Sequence, residues 1–133
     1  MIIFLRHGQA ENNTKKILAG RTPGINLTEE GKIQAEQAGE MIKSLNISAI
    51  YSSPIDRAMQ TAEIVGKHCD VKPILDDRLI ELDMGKFTMV PYTEIFKNHG
   101  NVFLKFYEGS LEISHNGVES FAQVQKRVFD IVD

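Results

Sequence analysis

The chain opens with Met1-Ile2-Ile3-Phe4-Leu5-Arg6-His7-Gly8, an apolar run that ends abruptly in charge and glycine. Residues 2–5 have the continuous hydrophobicity of a strand buried on both faces, as in a parallel sheet. Ligands bind at the carboxyl edge of such sheets, which is where the Arg-His-Gly triplet would lie. The opening residues therefore predict an α/β fold and the edge at which its chemistry takes place.

Helical and extended segments alternate after this opening. Thr28 is a good N-cap for an amphipathic helix over residues 29–45, whose apolar positions near the helical period are Ile33, Ala38, Met41, Ile42 and Leu45. There follow a short strand at 49–51, a helix that starts at Ser53-Pro54, and extended segments at 71–75 and 79–82. This order predicts a mostly parallel sheet with flanking helices.

The second half of the chain gives weaker signals. Residues 91–97 favour a helical turn or more. Beyond Gly117, helical spacing predicts a last helix running to Asp133, through Phe121, Val124, Val128 and Ile131.

Composition limits the class of protein. The 133 residues suit a single domain, 1–133, and 42% hydrophobic with 25% charged residues argues against disorder or a disulfide scaffold. A net charge of −3 gives no general attraction to nucleic acid. The lone Cys69 fits a reducing compartment, and no apolar run reaches the roughly 18 residues of a membrane span. We expect a cytoplasmic chain without a nucleic-acid or membrane partner.

Side chains suited to phosphoryl transfer follow three of the predicted elements. Arg6 offers a planar fork of donors for phosphoryl oxygens, Gly8 permits close backbone approach, and the imidazole of His7 can carry a phosphoryl group covalently. Arg57 stands on the first turn of the helix after the second strand. Glu81 follows a later extended segment, where a carboxylic acid could protonate a leaving oxygen.

Together these segments resemble the histidine phosphatase superfamily, also called the phosphoglycerate-mutase-like family. The resemblance covers nearly the whole chain in the family's order, and its motifs are Leu5-Arg6-His7-Gly8-Gln9-Ala10-Glu11-Asn12-Asn13, Ala19-Gly20-Arg21-Thr22-Pro23-Gly24, residues 27–35, residues 53–62 and Gly117-Val118-Glu119-Ser120. It implies the family's α/β fold, in which a mostly parallel sheet is flanked by helices.

Carried over residue by residue, the resemblance implies that His7 is the phosphorylated nucleophile. Arg6 and Arg57 would clamp the phosphate, Asn13 would be a further donor in the phosphate pocket, and Glu81 would be the general acid and base. The chemistry needs no metal and no other cofactor. The partner is a small phosphorylated substrate, and the sequence does not reveal the oligomeric state.

The carboxyl terminus departs from the family pattern. Family members have a second catalytic histidine on a strand beyond the Gly-Glu-Ser helix, whereas this chain ends within that helix. Ser114-His115-Asn116-Gly117 precedes the helix, so we do not expect His115 to replace the missing histidine. We therefore expect a partial, C-terminally incomplete domain, whose first strand lacks a neighbour.

The resemblance implies a phosphomonoester hydrolase that works through a phosphohistidine intermediate. The Glu81 motif and the loop at residues 19–24 look more like the phosphatase branches of the family. A 2,3-bisphosphoglycerate-dependent phosphoglycerate mutase is the alternative within the family. A catalytically inactive phosphate-binding fragment is the alternative of another class, because one histidine is missing. The identity of the substrate cannot be read from the sequence.

Overall fold

The computed structural model describes residues 1–107 and 117–132, so His115 and Asp133 lie outside the described residues. The fold is α/β, as predicted. Five helices and a small parallel sheet make up its regular elements within these residues, in the order α1 (Glu11–Lys15), α2 (Glu29–Ile42), β1 (Tyr51–Ser52), α3 (Asp56–Cys69), β2 (Ile74–Leu75), α4 (Tyr92–Tyr107) and α5 (Phe121–Val132). Short 3₁₀ turns lie at Lys43–Leu45, Asp77–Leu79 and Gly85–Phe87.

The sheet is a single β-α-β unit. β1 and β2 are parallel, with Tyr51 opposite Ile74 and Ser52 opposite Leu75, and α3 is the connection between them. The strands predicted at 49–51 and 71–75 are thus confirmed as strands but are shorter: only residues 51–52 and 74–75 pair, so β1 extends one residue beyond the predicted range. The short sheet orients α3 so that its N-terminus lies at the carboxyl end of β1.

The strand predicted at residues 2–5 is wrong. Residues 1–9 form no regular element, and Ile2, Phe4 and Leu5 are 61%, 80% and 50% exposed. A strand requires a neighbour that accepts its backbone hydrogen bonds, and no strand lies beside residues 2–5 within residues 1–107 and 117–132.

The strand predicted at residues 79–82 is also wrong. The side chain of Asp76 accepts a hydrogen bond from the Arg78 N–H and starts the 3₁₀ turn Asp77–Leu79. Residues 80–84 that follow belong to no sheet and no helix. The cap formed by Asp76, and not hydrogen bonds to a neighbouring strand, therefore determines the conformation of this segment.

Helix α2 is confirmed, but its expected buried face is not. Ile33 and Met41 are 50% and 78% exposed, whereas Gly31, Ala35 and Gly39 are buried. The small residues let α2 approach α3 closely: a Cβ at Gly39 would lie 2.5 Å from the imidazole of His68. Close helix packing thus overrides the burial of the larger apolar residues.

The other helices agree with their sequence signals. α3 begins at Asp56, just after the predicted start at Ser53-Pro54, and buries Ala62 and Val65, while α5 begins shortly after Gly117. α4 is longer than the turn expected at 91–97, and its helical geometry breaks at His99 (φ −137°, ψ 18°), whose ring meets Phe87 edge-on. The main apolar core lies nearby and consists of Met84, Phe87, Ile95 and Val118.

The molecule has a large open groove with a volume of about 1240 Å³. Its lining includes the opening segment 1–7, residues 45–53 and the apolar side of α5, together with charged side chains such as Arg57 and Glu81. None of the described helices has the length and apolar character needed to cross a bilayer.

Candidate active site

The end of the opening segment is fixed by α2 and α3. The N–H of Gly8 donates to Oγ1 of Thr61 (3.1 Å), which in turn donates to the carbonyl of Arg57 (2.8 Å). On its other side Gly8 lies against α2, where an added Cβ would come within 2.3 Å of the Gly31 carbonyl oxygen. These contacts hold His7 without the help of a strand.

The hydrogen bonds of His7 determine the protonation of its ring. Nδ1 lies 2.7 Å from the carbonyl oxygen of Gly8, and because a carbonyl can only accept, Nδ1 carries the hydrogen. Nε2 accepts a hydrogen bond from Nε of Arg57 at 3.3 Å. The ring is thus a neutral imidazole whose lone pair is on Nε2, directed toward the buried guanidinium.

The surroundings of His7 favour this neutral form. Burial lowers the pKa of His7, and the positive charges of Arg57 and Arg6 lower it further. The hydrogen bond to Gly8 and the carboxylate of Glu81 oppose the shift without reversing it. At neutral pH the imidazole therefore keeps the lone pair that nucleophilic attack requires.

Arg57 lies between His7 and Glu81. It is the second residue of α3 and only 3% exposed. Its Nη2 donates to the carbonyl of Gly20 (2.9 Å) and lies 3.5 Å from Oε2 of Glu81. Burial lowers the pKa of Arg57 and the Glu81 carboxylate opposes that shift, so the guanidinium stays charged. A buried guanidinium held by these partners is well suited to bind an oxyanion.

The other predicted phosphate ligands line the same groove. Arg6 is exposed beside His7, and Asn13 is half-buried on α1. Oδ1 of Asn13 accepts from the N–H of Ala10 (2.9 Å), a contact that fixes the direction of its amide. Arg6, His7, Asn13 and Arg57 thus all line one groove, and His7 contacts Arg57 directly.

Glu81 faces this group from the unpaired segment 80–84. Its side chain is 42% exposed, one oxygen accepts from the Leu82 N–H (2.8 Å), and the other approaches Arg57. Glu81 therefore joins the other predicted site residues: it approaches Nη2 of Arg57, while Nε of the same guanidinium faces His7.

Several residues that shape the site were not predicted from the sequence. They are Gly20, Thr61, Arg21, Glu119 and Arg127. The Gly117-Val118-Glu119-Ser120 motif marked the neighbourhood of Glu119, but its partners Arg21 and Arg127 are 98 and 8 residues away in sequence. No local pattern joins residues at such separations.

Comparison with known sequences finds one family over almost the whole chain. Residues 2–133 match the Histidine phosphatase superfamily (branch 1). A 2,3-bisphosphoglycerate-dependent phosphoglycerate mutase of Thermoplasma acidophilum is 42% identical over 84 residues, which are 63% of this chain and 42% of that protein. Phosphoserine phosphatase 1 of Hydrogenobacter thermophilus is 30% identical over 130 residues, 96% of this chain and 60% of that protein. This chain thus spans about half the length of these relatives.

Solved structures give the same result. A mycobacterial glucosyl-3-phosphoglycerate phosphatase in complex with VO3 superposes with a TM-score of 0.90 at 28% identity, covering 96% of this chain and 60% of that one. A complex of that phosphatase with inorganic phosphate gives a TM-score of 0.85 at 27% identity, covering 96% and 58%. The site geometry, the sequence match and the structural match agree, and the chain belongs to the histidine phosphatase superfamily.

Proposed function

We propose that the protein hydrolyses a small phosphomonoester through a phosphohistidine formed on His7. The observation that carries the proposal is the pair of hydrogen bonds on the His7 ring. Gly8 holds the proton on Nδ1, and Nε2 faces the buried Arg57 with its lone pair. A nucleophile and an anion-binding group are thus directed at the same point.

The phosphate would be held by charge-assisted hydrogen bonds. Arg57 and Arg6 supply guanidinium forks, and the amide of Asn13 supplies a further donor in the same groove. The mycobacterial phosphatase structures that superpose on this chain hold VO3 and inorganic phosphate, both of which are oxyanions. These likenesses support an oxyanion site here.

In the first chemical step, Nε2 of His7 forms a bond to phosphorus and the bond from phosphorus to the leaving alcohol oxygen breaks. Glu81, which takes up a proton beside the bound phosphate dianion, gives that proton to the leaving oxygen. In the second step, the Glu81 carboxylate takes a proton from water, whose oxygen bonds to phosphorus as the phosphorus–nitrogen bond breaks. Inorganic phosphate leaves, and both side chains return to their starting states.

The assignment to hydrolysis leaves two alternatives that can be tested. The relatives include a 2,3-bisphosphoglycerate-dependent phosphoglycerate mutase as well as a phosphoserine phosphatase, so transfer to a second substrate hydroxyl is the alternative reaction. An inactive phosphate-binding chain is the alternative outside catalysis. The lone free thiol, Cys69, and a phosphorylated metabolite as substrate favour the cytoplasm as the location.

Turnover of p-nitrophenyl phosphate and of a panel of small phosphate esters tests the function. We expect release of inorganic phosphate by the longest natural form of the protein and much slower release by residues 1–133. Phosphoryl exchange between phosphoglycerates that depends on bisphosphoglycerate, without net release, would favour the mutase. Phosphate binding without turnover in either form would favour the inactive chain.

A further inference from the structure

The segment that carries Glu81 has no regular secondary structure of its own. Residues 80–84 belong to no helix and no sheet. Side chains hold its backbone instead: Nε of Arg21 donates to the Glu81 carbonyl at 2.8 Å, and Nη2 of Arg127 donates to the same oxygen at 3.4 Å. Arg21 comes from the loop after α1, and Arg127 from the middle of α5.

A single carboxylate holds both of these guanidinium groups. Nε and Nη2 of Arg127 donate to the two oxygens of Glu119 at 2.9 and 3.0 Å, a bidentate pair. Nη2 of Arg21 donates to Oε2 of Glu119 at 3.1 Å. Glu119 thus fixes both of the donors that meet at the Glu81 carbonyl.

Glu119 also contacts the segment directly. Its Oε2 accepts from the N–H of Asp83 at 3.1 Å, and its own N–H donates to the Asp83 carbonyl at 2.7 Å. The Glu119 side chain is 13% exposed. Burial alone would raise the pKa of Glu119, but the hydrogen bonds from Arg127 and Asp83 outweigh that effect and lower it, so the group stays ionised. The segment is therefore held both at Glu81 and two residues beyond it.

We propose that Glu119 is a positioning residue for the proton transfer: through Arg21 and Arg127 it fixes the backbone of Glu81 and so directs the Glu81 carboxyl toward the leaving oxygen. This inference rests on the proposed function, in which Glu81 is the general acid. Proton transfer needs donor and acceptor within hydrogen-bond reach, so a loosened segment lowers its rate. The hydrogen bonds of Arg57 to His7 and to the Gly20 carbonyl lie outside this network, so we expect phosphate binding to be largely retained.

The network predicts a specific kinetic signature for Glu119→Gln. An alkyl leaving group needs its proton and an aryl leaving group needs little, so kcat for an alkyl phosphate should fall by about 10- to 100-fold. KM for that substrate and kcat for p-nitrophenyl phosphate should change by less than about 3-fold, because the phosphate contacts and the nucleophile are intact. In a Glu81→Gln background, Glu119→Gln should cause no further loss for the alkyl ester.

Two further variants guard against a simple folding defect. Arg21→Lys changes a side chain that is 36% exposed and keeps its charge, but one ammonium cannot serve Glu119 and the Glu81 carbonyl as the fork does. Arg21→Lys should lower kcat for the alkyl phosphate selectively, but by a smaller factor than Glu119→Gln. Glu29→Gln is the matched control: it makes the same chemical change in an exposed pair with Lys32 (2.9 Å) on α2, which shares no residue with the network around Glu119. Glu29→Gln should leave both substrates unaffected.

The outcomes separate the positioning role from the proposed function. If Glu81→Gln slows both substrates equally, the acid role of Glu81 fails, and with it the role of Glu119. If Glu81→Gln is selective for the alkyl ester while folded Arg21→Lys and Glu119→Gln are not, the positioning role fails and the proposed function stands. Selective loss in all three variants, with normal kinetics for Glu29→Gln, is the expected result.

Discussion

Nε of Arg57 lies 3.3 Å from Nε2 of His7. The nitrogen proposed as the nucleophile therefore faces the guanidinium proposed to hold the phosphate. A phosphoryl group that accepts hydrogen bonds from Arg57 would replace this contact and lie next to the lone pair on Nε2 of His7. Burial and the same cation lower the pKa of His7, so in the proposed mechanism Arg57 would both hold the phosphate and help to keep the nucleophile neutral.

The lowered pKa of His7 predicts the acid limb of the pH profile. The neutral ring is favoured by burial and by Arg57 and Arg6, so the limb of kcat/KM that reports His7 should lie below the ordinary value of 6.5. The free energy of unfolding should also decrease as pH falls. Below about pH 6.5 the His7 ring of the unfolded chain binds a proton before that of the folded chain does, and this favours the unfolded state. Proton NMR titration of the His7 ring measures it, and a His7 titration above 6.5 would contradict the account.

Removing the buried guanidinium should weaken oxyanion binding. Arg57→Ala should cost about 1–3 kcal/mol in the binding of inorganic phosphate, the usual loss for a hydrogen bond to a charged group. Titration calorimetry measures the affinity, with circular dichroism to show that the variant folds. Lys32→Ala is the control, because Lys32 pairs with Glu29 on the surface of α2. Equal phosphate affinity in wild type and folded Arg57→Ala would exclude Arg57 as a phosphate ligand.

Replacement of the proposed acid should depend on the leaving group. Glu81→Gln keeps the size of the side chain and removes its transferable proton, so we expect a loss of about 10²–10⁴-fold for alkyl phosphates. The loss for p-nitrophenyl phosphate should be far smaller, since that leaving group departs without a proton. Steady-state kinetics on the two substrates gives the ratio. Parallel losses would remove the acid role.

The close approach of α2 to the site should make Gly31 intolerant of a side chain. A Cβ at Gly31 would lie 2.0 Å from the carbonyl oxygen of Gln9, so Gly31→Ala should destabilise the fold by about 1–3 kcal/mol. Urea unfolding measures the change. Gly100→Ala is the matched control: nothing lies within 4 Å of its added Cβ, and alanine favours a helix. If both variants unfold at the same urea concentration, the contact between Gly31 and the Gln9 carbonyl does not restrict the residue at position 31.

Local motifs allowed the site to be predicted better than the sheet. The short Arg6-His7-Gly8 motif marks its residues without a strand, Arg57 lies in the first turn of α3, and these residues line one groove with Asn13 and Glu81. Their chemical roles stay predictions until tested. Strand formation at residues 2–5 depends on a neighbouring strand, and the described residues provide none. Hydrophobic pattern alone therefore predicted a strand that is not formed.

Two other features could not be predicted from the sequence, because they also depend on contacts between distant segments. The buried face of α2 depends on how closely α3 can approach, and so Gly39 is buried against His68 while Met41 is exposed. The network around Glu119 joins side chains from three parts of the chain. Contacts between distant segments carry no periodicity and no fixed spacing, so they become visible only in the folded structure.

The central claim is that His7 carries the phosphoryl group, and rapid quench with a ³²P-labelled phosphate ester tests it most directly. In the longest natural form, the account predicts acid-labile, base-stable label on His7 that forms and decays at the rate of turnover. His7→Ala should lose both label and turnover while still binding inorganic phosphate through Arg57. An active protein that never labels at His7, or a His7→Ala variant with normal turnover, would contradict the mechanism.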